Sequence, residues 1–245
     1  MARRLGFLIG FIFIFVLGIF LGAYFSKSNR INESTQEHSI EYFLNNTYRE
    51  MPIVGVDDKG NGVLGILTVE VKPGSGLVLV NINNVLADYY NQLSARNAAI
   101  VAANFTHKNL ANLDVIYNLK ANASIVEGPS AGSVMAISTI AALSGKKIKP
   151  NVYMTGAITP DGKVTAVGGI KEKANAATLA HGKLFIIPES SYVVGYKERK
   201  ACTNLNNITY CEIKYVQDNI DLNKYLGIKV QQVKYIYEAV NYTLE

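Results

Sequence analysis

The stretch Glu127-Gly128-Pro129-Ser130-Ala131-Gly132-Ser133 sets one serine between an extended segment, Ile125-Val126, and a run of small apolar residues with helical character. Gly128 and Gly132 remove side-chain bulk on both sides of Ser130, and Pro129 pushes Gly128 toward extended backbone. The helix that begins just afterwards points unpaired N–H groups toward the hydroxyl. This is geometry for a nucleophile beside an oxyanion hole, because those donors and the helix dipole favour negative charge developing on a carbonyl oxygen. The same place suits an N-cap serine, and the segment alone does not separate the two roles.

A serine nucleophile needs a base, and two are available. Gly128-Pro129-Ser130-Ala131-Gly132 reads as G-x-S-x-G, and Asp161 and His181 follow it in the order of a Ser-Asp-His triad. Too few residues follow Ser130 to complete an α/β-hydrolase sheet, however, and His181 before Gly182 also fits a helix C-terminus. The other candidate lies in Gly168-Gly169-Ile170-Lys171-Glu172-Lys173, where a helix after the glycine pair could aim the Lys173 amine at the serine. Burial disfavours the charged amine, so its pKa would fall toward neutrality and the free amine could take the serine proton.

Other chemistries find no residues. Two cysteines cannot staple 245 residues, and His38, His107 and His181 are isolated from one another, so no zinc module or other metal site is expected. Gly60-Asn61-Gly62-Val63-Leu64-Gly65 has the spacing of a dinucleotide loop but opens into the strand pattern Ile66 to Val71, without a helix N-terminus to hold a pyrophosphate. No G-x-x-x-x-G-K-[ST] loop occurs, so neither nucleotide nor any other cofactor is expected. The net charge of +5 is spread along the chain, and even Lys197 to Lys200 is interrupted by Glu198, which argues against nucleic acid as a partner.

The elements that must position these residues mix strands and helices without regular βαβ alternation, which implies an α+β domain. Gly62 to Val71 and Leu77 to Val80, joined by Lys72-Pro73-Gly74-Ser75-Gly76, are expected to form a hairpin. A helix is expected over 83–104, with Val85, Leu86, Tyr89, Tyr90 and Leu93 on its inner face. A second helix runs from Ser133 to Leu143 with Gly145 as its C-cap, and a third from Glu172 to Ala180. Pro160-Asp161-Gly162 turns the strands 153–159 and 163–167, and Leu184 to Ile187 reads as a buried strand.

Leu5 to Phe25 contains no charged residue, and at 1.5 Å per residue such a helix spans roughly 31 Å, the thickness of a bilayer core. It is longer than a signal-peptide core, so residues 5–25 are expected to be a single transmembrane anchor. Arg3 and Arg4 place residues 1–4 in the cytoplasm and the body of the chain outside it, with 26–50 as a polar tether. Six Asn-x-Ser/Thr sequons, at Asn32, Asn45, Asn104, Asn122, Asn207 and Asn241, and a disulfide expected between Cys202 and Cys211 across an Asn-rich loop agree with that compartment.

Glu127-Gly128-Pro129-Ser130-Ala131-Gly132, Met154-Thr155-Gly156-Ala157-Ile158-Thr159, Gly162-Lys163-Val164, Val167-Gly168-Gly169-Ile170-Lys171-Glu172-Lys173 and Ile186-Ile187-Pro188 occur in the order and spacing of the Lon protease proteolytic domain. The resemblance covers Ile53 to Pro188, and Val230 to Leu244 more loosely. It implies the Lon proteolytic-domain fold over 51–245 and a serine-type endopeptidase with a Ser-Lys dyad, Ser130 matching the nucleophile and Lys173 the general base. Thr155 matches a threonine that orients the lysine, Glu127 an acidic residue beside the nucleophile, and Lys171 a lysine outside the dyad; Ala131 completes the supporting residues. The family's nucleotide-hydrolysing module has no counterpart here, and the stretch carrying Cys202 and Cys211 departs from its pattern. The expected activity is therefore ATP-independent cleavage of peptides, unfolded chains or membrane-associated proteins. Polypeptide substrates, the membrane and a homo-oligomeric ring are the partners this reading admits. A triad of Ser130, Asp161 and His181, or a non-catalytic membrane-tethered binding module, are its rivals.

Overall fold

Tyr48–Val56 (β1) and Gly62–Pro73 (β2), both carrying β-branched and other apolar residues, are antiparallel partners, with Tyr48 opposite Glu70 and Val56 opposite Gly62. Their turn is organised by Asp57, whose carboxylate accepts the N–H groups of Lys59 at 3.0 Å and Asn61 at 2.7 Å. The computed structural model describes residues 47–245 apart from 82–85, 122–124, 127, 192–194, 206–207 and 219–221, together with residues 17–19, 21 and 23. The chain divides into two units, Met1–Asn46 and Thr47–Glu245. In the first, Leu17, Gly18, Ile19, Leu21 and Ala23 are helical and exposed. The rest of the expected anchor, and the tether up to residue 46, lie outside the described residues. Among the described residues no helix is long and apolar enough to cross a membrane.

In the second unit the chain continues through β3 (Val78–Asn81), β4 (Leu86–Ala87), helix α1 (Tyr89–Thr106), β5 (Leu113–Ala121) and β6 (Ile125–Val126). The hairpin expected between β2 and β3 does not form: the sheet order is β1-β2-β5-β3, and β3 runs parallel to β5. Asp114 supplies the reason. Its carboxylate accepts the N–H groups of Ser75 at 2.8 Å and Leu77 at 2.9 Å, which pins the connecting turn to the start of β5 and launches β3 along that strand.

Helix α1 begins at Tyr89 rather than Asn83, because Asp88 caps it by accepting the Asn91 N–H at 2.8 Å. Its buried face is also not the expected one. Tyr89, Tyr90 and Leu93 are exposed, while Asn91, Ser94, Ala95, Ala98, Ala99, Val101, Ala102 and Ala103 face inward. Small side chains let α1 lie close against helix α2 (Gly132–Ser144), which is buried from Gly132 to Ala142. Gly145 caps α2 in the left-handed region at φ 68°. Met135, Ile137 and Ile140 pack with Leu67, Val69, Val115 and Leu119 of the sheet, and the one large polar group there, the Tyr117 hydroxyl, meets Thr139 Oγ1 at 2.7 Å.

Beyond α2, three parallel strands, β7 (Val152–Met154), β10 (Leu184–Pro188) and β13 (Val230–Val233), form a second sheet. Between the first two lie the hairpin β8 (Ala157–Ile158) and β9 (Val164–Thr165), turning at Pro160-Asp161-Gly162, and helix α3 (Ile170–Leu179). A Cβ on Gly62 would sit 2.0 Å from the Glu172 carbonyl oxygen, so the absence of a side chain there is what lets α3 rest on β2. Between β10 and β13 the expected polar loop is a long antiparallel ribbon, β11 (Gly195–Leu205) and β12 (Ile208–Asp218), followed by the short helix α4 (Leu222–Leu226). Cys202 and Cys211 stand directly opposite and are joined as a disulfide. Tyr210, Ile213 and Tyr215 are exposed on it, and an isolated two-stranded ribbon, marginal in stability by itself, gains much from such a cross-link. Helix α5 (Ile236–Thr243) ends the mixed α+β unit.

Candidate active site

Ser130 lies in a 3-10 turn, Pro129–Ala131, that leads directly into α2. Gly128 precedes it with φ 84° and ψ 167°. The extended ψ is what Pro129 demands, but the positive φ is a conformation that a side chain opposes, so glycine is required here for its backbone. The Gly128 N–H donates to Asp88 Oδ2 at 3.0 Å. Burial would raise the Asp88 pKa, yet the N–H groups of Gly128 and Asn91 outweigh it and hold the carboxyl below its ordinary value.

The segment after β7 crosses the serine turn and is bonded to it in both directions. The Ser130 carbonyl accepts the Gly156 N–H at 3.0 Å, and the Ser133 N–H donates to the Gly156 carbonyl at 2.9 Å. Thr155, with no exposed surface, is tied to β10 through its N–H on the Ile186 carbonyl at 3.0 Å. Its hydroxyl donates to the Ser130 carbonyl at 3.4 Å and accepts from Lys173 Nζ at 3.3 Å.

Lys173 comes from the first turn of α3, which Gly169 starts in the left-handed region at φ 68°. Ile170, Lys173, Ala174 and Ala177 form the helix's inner face, leaving Lys173 only 4% exposed. Burial pulls its pKa from 10.5 to about 8, against the opposing charge of Glu172. Lys171 points elsewhere, its amine 5.1 Å from the Tyr225 ring centroid. Ser130 and Lys173 both line a cavity of about 460 Å³ walled by β1, β2, Gly128 and the Ala166 to Gly169 loop.

The structure thus gathers Ser130, Ala131, Thr155 and Lys173, while Glu127 lies outside the described residues. It does not gather the alternative triad. Asp161 is exposed in the β8–β9 turn and accepts the Thr159 hydroxyl, and His181 is exposed past the C-terminal end of α3 at φ 59°. Lys173 lies in the first turn of α3 and His181 beyond its last residue, Leu179, so the two belong to opposite ends of the helix. One expectation about donors is corrected as well. The N–H groups of Gly132 and Ser133, in the first turn of α2, are already bonded to the Pro129 and Gly156 carbonyls. The 3-10 turn itself begins at Pro129, so the backbone N–H groups of the serine turn, rather than the first turn of α2, are the ones nearest the hydroxyl. Asp88 falls inside the helix expected from Asn83, which hides its capping role; an Asp directly before Tyr89-Tyr90-Asn91 is the sequence signal for the cap. Among the described residues no cluster of His, Cys, Asp and Glu could hold a metal ion.

A family model for the Lon protease (S16) C-terminal proteolytic domain matches residues 61–195. Among similar proteins, the Lon protease of Clostridium acetobutylicum is 35% identical over 126 residues, covering 49% of this chain and 16% of that protein. The Lon protease of Cytophaga hutchinsonii is 34% identical over 131 residues, 51% of this chain and 16% of that protein. Lon protease homolog 4, chloroplastic/mitochondrial, of Arabidopsis thaliana is 33% identical over 138 residues, 54% of this chain and 14% of that protein. The matched region is thus a small part of each relative, and the family match stops where the disulfide-linked ribbon starts, at Gly195. The chain belongs to the Lon proteolytic-domain family, whose members are serine peptidases.

Proposed function

We propose that the chain is an ATP-independent serine endopeptidase acting on peptides, unfolded proteins or membrane-associated proteins, with Ser130 as nucleophile and Lys173 as general base. The observation that carries this reading is the buried Lys173 amine, drawn to a pKa of about 8, which shares a cavity with Ser130 and is steadied by Thr155. An amine beside a serine needs little else to be a base. Thr155 Oγ1 takes one of its hydrogens, which leaves the nitrogen lone pair for the serine.

In the neutral form, Lys173 removes the Ser130 proton as Oγ bonds to the scissile carbonyl carbon. The developing oxyanion is held at the serine turn, with the Ser130 N–H as the backbone donor beside the nucleophile. The resulting ammonium protonates the leaving amine, the C–N bond breaks, and an acyl group remains on Ser130. Water then gives a proton to Lys173 as its oxygen attacks the acyl carbon. The ester bond breaks, and Ser130 Oγ recovers that proton from Lys173.

Two further features belong to the proposal. The charge-free Leu5 to Phe25 segment supports a single-pass anchor with the catalytic unit outside the cytoplasm, and the Cys202–Cys211 disulfide supports an oxidising compartment. The test is cleavage of an unstructured polypeptide by the full chain without nucleotide. Ser130→Ala should abolish it, and equal cleavage by that variant would assign the activity to other residues.

A further inference from the structure

We propose that Asp88 is a positioning residue for the nucleophile: its carboxylate holds the Gly128 N–H and so fixes the backbone from which Ser130 is presented. This rests on Ser130 being the nucleophile. Gly128 adopts φ 84°, and among the described residues no atom lies within 4 Å of where a Cβ would stand, so close packing at that point is not what sets its conformation. Glycine left to itself samples much of backbone space. Pro129 has no N–H, which makes the Gly128 N–H the one backbone donor of this dipeptide. It goes to Asp88 Oδ2 at 3.0 Å.

The carboxylate is itself locked. Asp88 Oδ1 accepts the backbone N–H and the side-chain amide of Asn91, both at 2.8 Å. The same face of α1 reaches the site twice more, through Ser94 Oγ on the Pro129 carbonyl at 3.4 Å and Asn97 Nδ2 on the Ile158 carbonyl at 3.0 Å. Helix α1 is thereby a brace for the serine turn, and Asp88 is its only charged contact there among the described residues.

Both carboxylate oxygens are in use, which gives a clean separation of roles. In Asp88→Asn the side-chain carbonyl can still cap α1, but the amide that replaces Oδ2 is a donor and cannot accept from Gly128. Asp88→Ser keeps a capping hydroxyl and has no second oxygen. The experiment compares wild type, Asp88→Asn, Asp88→Ser and Asp88→Ala in the full chain, by steady-state cleavage of an internally quenched unstructured peptide and by thermal melting. Because a displacement of about 1 Å at a reacting group costs on the order of 10²-fold, kcat should fall about 10- to 100-fold in Asp88→Asn and Asp88→Ser. KM should stay within about three-fold, since the walls of the cavity are untouched, and the melting temperature should stay near wild type, since the cap survives. Wild-type kcat in either of these two variants, or kcat losses that merely track melting temperature across all three, would overturn the proposal. A wild-type protein that neither cleaves the peptide nor reacts at Ser130 would instead remove the functional reading beneath it.

Discussion

Replacing Lys173 with methionine should destroy activity and raise stability in one step. In the folded protein the amine has a pKa of about 8 against an ordinary value of 10.5, which corresponds to about 3 kcal/mol of opposition to burying the charged form. The folded value is the lower one, so the unfolded chain binds the extra proton between pH 8 and 10.5. Stability therefore rises with pH across that window, and the penalty is present in full below it. Methionine fills a similar volume without charge, at the loss of the Thr155 contact, worth about 1 kcal/mol. The net expectation at pH 7 is a gain of about 1 to 2 kcal/mol, seen as a rise of several degrees in melting temperature, and the gain should vanish above pH 10.5. Peptide cleavage by Lys173→Met should fall by at least about 10²- to 10⁴-fold, the usual weight of general acid-base catalysis. In the wild type about one-tenth of the amine is neutral at pH 7 and about nine-tenths at pH 9, so the rate should climb about tenfold between them. Lys171→Ala and His181→Ala should remain within several-fold of wild type. A flat pH profile, an active Lys173→Met or an inactive His181→Ala would refute the assignment of the base.

Reduction of the Cys202–Cys211 bond, or its replacement by serines, should destabilise the ribbon by about 2 to 3 kcal/mol on loop-closure arithmetic, visible as faster amide exchange in β11 and β12 with activity retained. Loss of activity would place the ribbon inside the catalytic machinery. ATP and magnesium should leave cleavage of an unstructured substrate unchanged, because no phosphate-cradling loop is present in the sequence, and stimulation of more than a few-fold would contradict this. In intact cells, external protease or a membrane-impermeant label should reach the catalytic unit; free cysteines together with protection from both reagents would reverse the proposed orientation.

The serine turn, helix α2 with its Gly145 cap, helix α3 and strand β10 were legible because each is announced locally: small residues around Ser130, glycines at fixed ends, and an uninterrupted apolar run. The β3 pairing was not legible, because it depends on Asp114 capturing a turn some forty residues earlier in the chain. The inner face of α1 was not legible for a different reason. Large apolar residues at helical spacing suggest a core stripe, yet the close approach to α2 admits only the Ala and Ser face and leaves Tyr89, Tyr90 and Leu93 outside. At the site, residue types gave the candidates Ser130 and Lys173, whereas the roles of Gly156 and Asp88 follow from backbone bonds that no spacing rule encodes.

The most direct measurement of the Ser130 and Lys173 pairing is covalent labelling of the full chain with a serine-reactive phosphonate, followed by mass mapping of the modified peptide. The adduct should fall on Ser130, form faster as the pH rises through about 8, be lost in Ser130→Ala and be strongly slowed in Lys173→Ala, while His181→Ala labels as wild type does. An adduct on another residue, or labelling at Ser130 that is indifferent to Lys173, would contradict the pairing.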